Sequence, residues 1–268
     1  MARTRRRLLK QLAIFNASMK IASFPENLKG AHKSTFSETV IYDNMKKNGP
    51  YTPQIKICGL TLPDQAIACA ELGVHAIGLI FYPKSPRFVT MDTALDVCAA
   101  LPASVAKVGV FVDEPMDIII EAVRVCGLTA VQLHGRESPQ LVKQLASQSI
   151  TVVKALYVEG LPAMDTADDY PAAAFLIECK KGILPGGNAM TWNWKAARDF
   201  GARRPLILAG GLDPDNVGKA IRDAVPDAVD VSSGVEASPG IKDMNKVDAF
   251  IRAVRACNID KPLRRIFS

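Results

Sequence analysis

The sequence lacks a CxxC pair, and its six cysteines (Cys58, Cys69, Cys98, Cys126, Cys179 and Cys257) are scattered with no histidine at ligand spacing. A small disulfide scaffold is excluded, no structural metal is expected, and most of these cysteines read as small apolar residues in a reducing compartment. No apolar run approaches the ~20 residues that span a bilayer, so no membrane association is expected. There is also no GxGxxG behind the first predicted strand, where Cys58-Gly-Leu-Thr-Leu-Pro stands instead. That absence argues against a dinucleotide-binding open sheet. Neither composition extreme is present, since 49% hydrophobic and 22% charged residues are ordinary for a globular protein. The 268 residues therefore suffice for one large or two small domains.

Positive charge is in excess, at net +6, but it is not spread evenly. Residues 1–54 hold ten Lys/Arg against three acids, net +7, and residues 259–268 add +2. The intervening 55–258 is −3, with 20 basic and 23 acidic residues. The basic segment 1–53 has no sustained apolar periodicity and is expected to be a poorly ordered extension. Thr4–Lys10 has some likeness to a twin-arginine signal, yet the apolar stretch Leu12–Ile21 is short, broken by Asn16 and Lys20, and followed by no small-residue cleavage site. The extension reads as a solvated tail or as an over-long start, with Met45 as the alternative initiator. It has no interleaved aromatics and no reading module, so no nucleic-acid partner is expected. The expected location is cytoplasmic, as a monomer or homodimer.

From residue 55 short β-branched runs alternate eight times with amphipathic stretches. The predicted strands are Ile55–Leu60, Ala76–Phe81, Ala106–Val112, Ala130–His134, Thr151–Val158, Ala173–Cys179, Pro205–Ala209 and Ala228–Ser232. Predicted helices are Pro63–Leu72, Met91–Ala100, Pro115–Cys126, Pro139–Ser147, Asn193–Phe200, Pro214–Val225 and Asp243–Cys257, with a single turn around Met164–Tyr170. Pro63, Pro115, Pro139 and Pro214 are placed in first helical turns, and Gly73 and Gly127 close two helices. Eight βα units in about 200 residues match a closed (β/α)8 barrel. The predicted organisation is thus a basic extension at 1–53, a single (β/α)8 TIM barrel at 54–258 and a C-terminal tail at 259–268.

A barrel places chemistry at the C-terminal ends of its strands. Period-2 alternation puts Lys56 and Cys58 on one face of strand 1, Gln132 and His134 on one face of strand 4, and Asp230 and Ser232 on one face of strand 8. Lys154 lies within strand 5 and Glu178 at the end of strand 6. Strands 1 and 8 are barrel neighbours, so Lys56 and Asp230 are expected to pair beneath Cys58, and the cation favours the thiolate. Gly210, Gly211, Ser232, Ser233 and Gly234 follow strands 7 and 8, where barrel enzymes bind phosphate through backbone N–H groups, with the serine hydroxyls donating. Tyr82–Arg87 forms a rigid loop whose Arg87 guanidinium can hold a carboxylate bidentately, stack on a ring or, as a loop arginine taken alone suggests, simply stand in solvent.

These pieces in order resemble the phosphoribosylanthranilate isomerase family of tryptophan biosynthesis over roughly residues 54–255. The resemblance is carried by Lys56-Ile-Cys-Gly-Leu-Thr61, Gly78-Leu-Ile-Phe-Tyr-Pro-Lys-Ser-Pro-Arg87, Val108-Gly-Val-Phe-Val112, Val131-Gln-Leu-His-Gly135, Leu208-Ala-Gly-Gly-Leu212, Pro214-Asp-Asn-Val217 and Val229-Asp-Val-Ser-Ser-Gly-Val-Glu236. It implies a cofactor-free Amadori rearrangement of N-(5-phosphoribosyl)anthranilate to 1-(2-carboxyphenylamino)-1-deoxyribulose 5-phosphate. It further implies Cys58 as general base and Arg87 as receptor for the anthranilate carboxylate, with the phosphate on Gly211 and Ser232–Gly234. Lys56, His134 and Asp230 are the further expected substrate-side residues.

The sequence departs from the family at strand 6, where Glu178 in Phe175-Leu-Ile-Glu-Cys179 stands for the family's general-acid Asp. The loop behind it reads Gly186-Gly-Asn-Ala-Met190 rather than Gly-Gly-Ser/Thr-Gly. This departure motivates two alternatives: a catalytically weakened barrel that binds a phosphorylated ligand, and an isomerase for a related aminoaldose or sugar phosphate.

Overall fold

The computed structural model describes residues 51–179 and 191–267. The predicted extension (residues 1–50 of it), the Gly186–Met190 loop and the last residue of the tail lie outside the described residues. Eight parallel strands close into a barrel in sequence order: β1 Gln54–Cys58, β2 Ala76–Ile80, β3 Ala106–Phe111, β4 Ala130–Leu133, β5 Thr151–Tyr157, β6 Ala174–Glu178, β7 Leu206–Leu208 and β8 Ala228–Val231. The α-helices are α1 Pro63–Glu71, α2 Met91–Ala100, α3 Met116–Cys126, α4 Pro139–Ser147, α5 Arg198–Arg203, α6 Val217–Ala224 and α7 Met244–Arg255. A 3-10 turn, Met164–Asp169, stands between β5 and β6, as the weak signal there predicts. After β8 a small antiparallel hairpin follows, β9 Glu236–Ser238 with β10 Ile241–Lys242.

Strand alternation sorts the apolar residues into two cores. Ile55, Ile57, Ile77, Leu79, Leu133, Phe175 and Leu208 face outward and meet the helices. The inward set is smaller in side chain: Ala76, Ala106, Val108, Ala130, Val153, Ala155, Ala174, Leu176, Ile207 and Ala228. Phe267 from the chain's C-terminal segment joins this inner cluster. It is fixed by Gln54, whose amide donates to the Phe267 carbonyl (2.6 Å) and accepts from the Ile266 and Phe267 N–H groups (2.7 and 3.0 Å). Ala-rich layers leave space that one aromatic ring fills from the N-terminal end of the barrel.

Helix starts correct the proline expectation in part. Pro63 and Pro139 do occupy first-turn positions, whereas Pro115 is the N-cap of α3. Pro214 lies ahead of α6, which begins only at Val217. There the Asp213 carboxylate accepts from the N–H groups of Asp215 and Asn216, and Asn216 accepts from Asp213, so side-chain turns compete with the helix for these backbone groups. The predicted Asn193–Phe200 helix is a 3-10 turn, Trp194–Ala197, continued by α5 to Arg203. Among the described residues no helix is long and apolar enough to cross a membrane.

Candidate active site

The register of β1 sets the floor of the site. Lys56 pairs with Asp230 across the β1–β8 ladder, and their side chains form an ion pair of 2.8 Å. Burial works to lower the Lys56 pKa, but the Asp230 carboxylate and the Cys58 sulfur outweigh it and hold the ammonium above its usual value. Burial outweighs Lys56 and pushes the Asp230 carboxyl above its usual range, yet at 2.8 Å from a cation the ion pair is what the geometry supports. One layer above stands Cys58. It faces Gly78 of β2 in register, and a Cβ on Gly78 would lie 2.7 Å from the Cys58 sulfur and 3.1 Å from Lys56 Nζ. Only a glycine at 78 leaves room for a thiol and an ammonium side by side. Burial pushes the Cys58 thiol up, with Lys56 the strongest influence in the opposite direction. The expected effect of the cation is present, and desolvation exceeds it.

Cys58 opens onto a pocket of about 730 Å³, mouth included, at the C-terminal ends of the strands. Glu178, Arg87, His134, Asp230, Gly210, Gly211, Ser232 and Ser233 all contribute to its wall. Lys56 does not reach it and lies beneath. Gly234 is not on this wall either; it borders a separate shallow recess with Asp213, Pro214 and Lys246. Ser232 Oγ donates to the Cys58 carbonyl at 3.0 Å, so its proton ties β8 to β1 instead of pointing at a ligand. What the two loops offer an anion is chiefly backbone at the positive-φ Gly210 and Gly211.

Glu178 closes β6, and its Oε1 lies 3.1 Å from His134 Nε2. The Gln132 amide donates to His134 Nδ1 at 2.9 Å, which makes Nε2 the protonated nitrogen and His134 the donor to Glu178. His134 is itself fixed from behind: Tyr157 donates to its carbonyl, and the fully buried Lys154 donates to the carbonyls of Leu133 and Gly135 and pairs with Glu137 at 2.8 Å. Gln132 Oε1 and Asp230 Oδ1 are buried without a hydrogen-bond partner among the described residues, and both residues line the pocket. Buried acceptors in that condition are suited to a ligand's hydroxyl or amine protons.

Arg87 does not project as a lone guanidinium. Its Nε and Nη2 grip the two oxygens of Glu236 at 2.8 and 2.7 Å, in β9. The aliphatic stem of Arg87 crosses Gly59, where an added Cβ would stand 2.5 Å from Arg87 Cδ. Sequence reasoning places Arg87 correctly at the pocket but misses Glu236, 149 residues away and outside any periodic pattern. Gln132, which strand parity puts on the same face as His134, lines the pocket beside it. Among the described residues no group of three or more His, Cys, Asp or Glu is placed to hold a metal ion.

Comparison with known proteins narrows what such a pocket does. A family model for N-(5'phosphoribosyl)anthranilate (PRA) isomerase matches residues 55–253. The chain is 54% identical over 215 residues to the N-(5'-phosphoribosyl)anthranilate isomerase of Desulfatibacillum aliphaticivorans, an alignment that spans 80% of this chain and 99% of that protein. The phosphoribosyl anthranilate isomerase of Thermotoga maritima superposes with a TM-score of 0.71 at 39% identity, covering 76% of this chain and 98% of that one. A phosphoribosyl anthranilate isomerase solved in complex with reduced 1-(o-carboxyphenylamino)-1-deoxyribulose 5-phosphate gives a TM-score of 0.68 at 37% identity, with the same coverage.

Proposed function

Because the chain belongs to the N-(5'-phosphoribosyl)anthranilate isomerase family, we propose that Cys58 is the general base and Glu178 the general acid of its reaction. The protein is an isomerase of tryptophan biosynthesis. Glu178, in its protonated form, gives its proton to the furanose ring oxygen as the C1–O bond breaks, and the anilino nitrogen lone pair forms the C1=N bond of a Schiff base. The Cys58 thiolate then removes the C2 proton; those electrons form C1=C2, and the C=N pair returns to nitrogen. The resulting enolamine becomes the ketone when C1 is protonated and the C2 hydroxyl gives up its proton.

The observation that supports this division of labour is that Cys58 and Glu178 share one pocket wall, from β1 and β6, with Arg87 and the β7 and β8 loops around it. Arg87 takes the anthranilate carboxylate, and backbone N–H groups of Gly210, Gly211 and Ser233 take the phosphate. Asp230 Oδ1 and Gln132 Oε1 accept protons from the ribose hydroxyls. His134 orients Glu178, and Lys56 acts on Cys58 from below. Expression of the chain in a tryptophan auxotroph lacking this step is expected to restore growth. Failure of the well-expressed protein to do so favours the binding-only barrel that the strand-6 change motivates.

A further inference from the structure

The Arg87–Glu236 pair poses an electrostatic problem for a carboxylate receptor. A guanidinium held bidentately by a glutamate is neutral as a unit, and a neutral pair attracts an anion weakly. The hairpin after β8 supplies the missing charge. Lys242 of β10 places Nζ 2.7 Å from Glu236 Oε1 and 3.2 Å from the Ser232 carbonyl, and its side chain is 0% exposed. Two cations therefore share one carboxylate, and the buried cluster carries a net +1 where solvent cannot screen it. Burial lowers the Lys242 pKa, while Glu236 supports the charged form.

The hairpin is built to keep that arrangement. The Gly240 N–H donates to Glu236 Oε1 at 3.3 Å, Lys246 Nζ to the Glu236 carbonyl at 3.0 Å, and Gln65 of α1 holds the Lys242 backbone on both sides, at 3.0 and 2.9 Å. Lys242 is absent from the pocket wall, whereas Arg87 is part of it. We propose that Lys242 is a specificity-determining positioning residue: it gives the Arg87–Glu236 pair the unbalanced positive charge that selects a carboxylated aromatic amine over an uncarboxylated one. This rests on Arg87 as the carboxylate receptor proposed above. When the substrate carboxylate arrives the cluster becomes neutral, and without Lys242 the same carboxylate would leave it net negative.

The test compares kcat/KM for N-(5-phosphoribosyl)anthranilate with that for N-(5-phosphoribosyl)aniline, which lacks the carboxylate, using the full chain. The preference for the anthranilate compound is expected to fall about tenfold in K242M and K242Q, mostly through KM, and to stay within about threefold of wild type in K242R. The two neutral variants differ in polarity, so a folding failure of one leaves the other, and circular dichroism identifies which is folded. Neutral variants that keep the preference while R87Q loses it overturn the role of Lys242 and leave Arg87 standing. An R87Q protein that keeps the preference overturns the carboxylate receptor and Lys242 with it. Equal losses on both substrates also contradict the proposal, because they place the action of Lys242 on Cys58.

Discussion

Cys58 is a thiol in a dry site with a cation directly below it, and the two influences oppose each other. Burial dominates and raises its pKa, although Lys56 pulls it down. A base that works as thiolate is then mostly protonated at neutral pH. The rate at which iodoacetamide alkylates Cys58, taken as the difference between wild type and C58A, is expected to climb with pH and to go on rising past ~8.5, the ordinary thiol value. Alkylation rates from about pH 6 to about pH 10 check this; a plateau reached below ~7.5 would contradict a raised thiol. The position of Cys58 was legible from strand parity and the glycine after it. The net direction of its shift was not, because parity reveals the cation below but not how completely the surroundings exclude water. Glu178 was legible in the same way as an acid at a strand end, while its partnership with His134 depends on how the ends of β4 and β6, on either side of β5, converge at the barrel mouth.

At the scale of elements, the β1–β8 closure was readable because a (β/α)8 count forces first and last strands together, and with it Lys56 onto Asp230. The ladder also explains Gly78, which faces Cys58 from β2. Gly78→Ala places a methyl against the Cys58 sulfur and the Lys56 ammonium. It is expected to lower kcat on the order of a hundredfold, because a displacement of about 1 Å at a reacting group has effects of that size. Steady-state kinetics on the folded variant read this out, and wild-type kcat would show that the thiol tolerates displacement. The hairpin Glu236–Lys242 was not legible. Its strands are three and two residues long, too short for periodicity, and their partners Arg87 and Gln65 are over a hundred residues away. The start of α6 was misplaced for a related reason: Pro214 suits a first helical turn, but the Asp213 and Asn216 side chains capture the backbone there first.

At the scale of the whole molecule, the described residues form a barrel whose pocket sits at one end and whose other end holds a ring. Phe267 is 2% exposed and packs among the small inward residues. The sequence shows residues 259–268 only as a basic tail, since nothing local reveals that alanine layers leave space for it. Phe267→Ala is expected to cost about 3–5 kcal/mol and to lower Tm on the order of 10 °C, with kcat/KM little changed because the pocket is at the opposite end. Calorimetry and kinetics on one preparation check both halves, and an unchanged Tm would remove the ring from the barrel's support. The anion-binding groups proposed for the pocket are local ones on its wall. The acid–base pair is tested most directly by following loss of substrate fluorescence with N-(5-phosphoribosyl)anthranilate for wild type, C58A and E178Q side by side. Wild type turns over, and each variant is expected to fall on the order of a hundredfold or more. Full turnover by C58A would contradict Cys58 as the base, and full turnover by E178Q would contradict Glu178 as the acid.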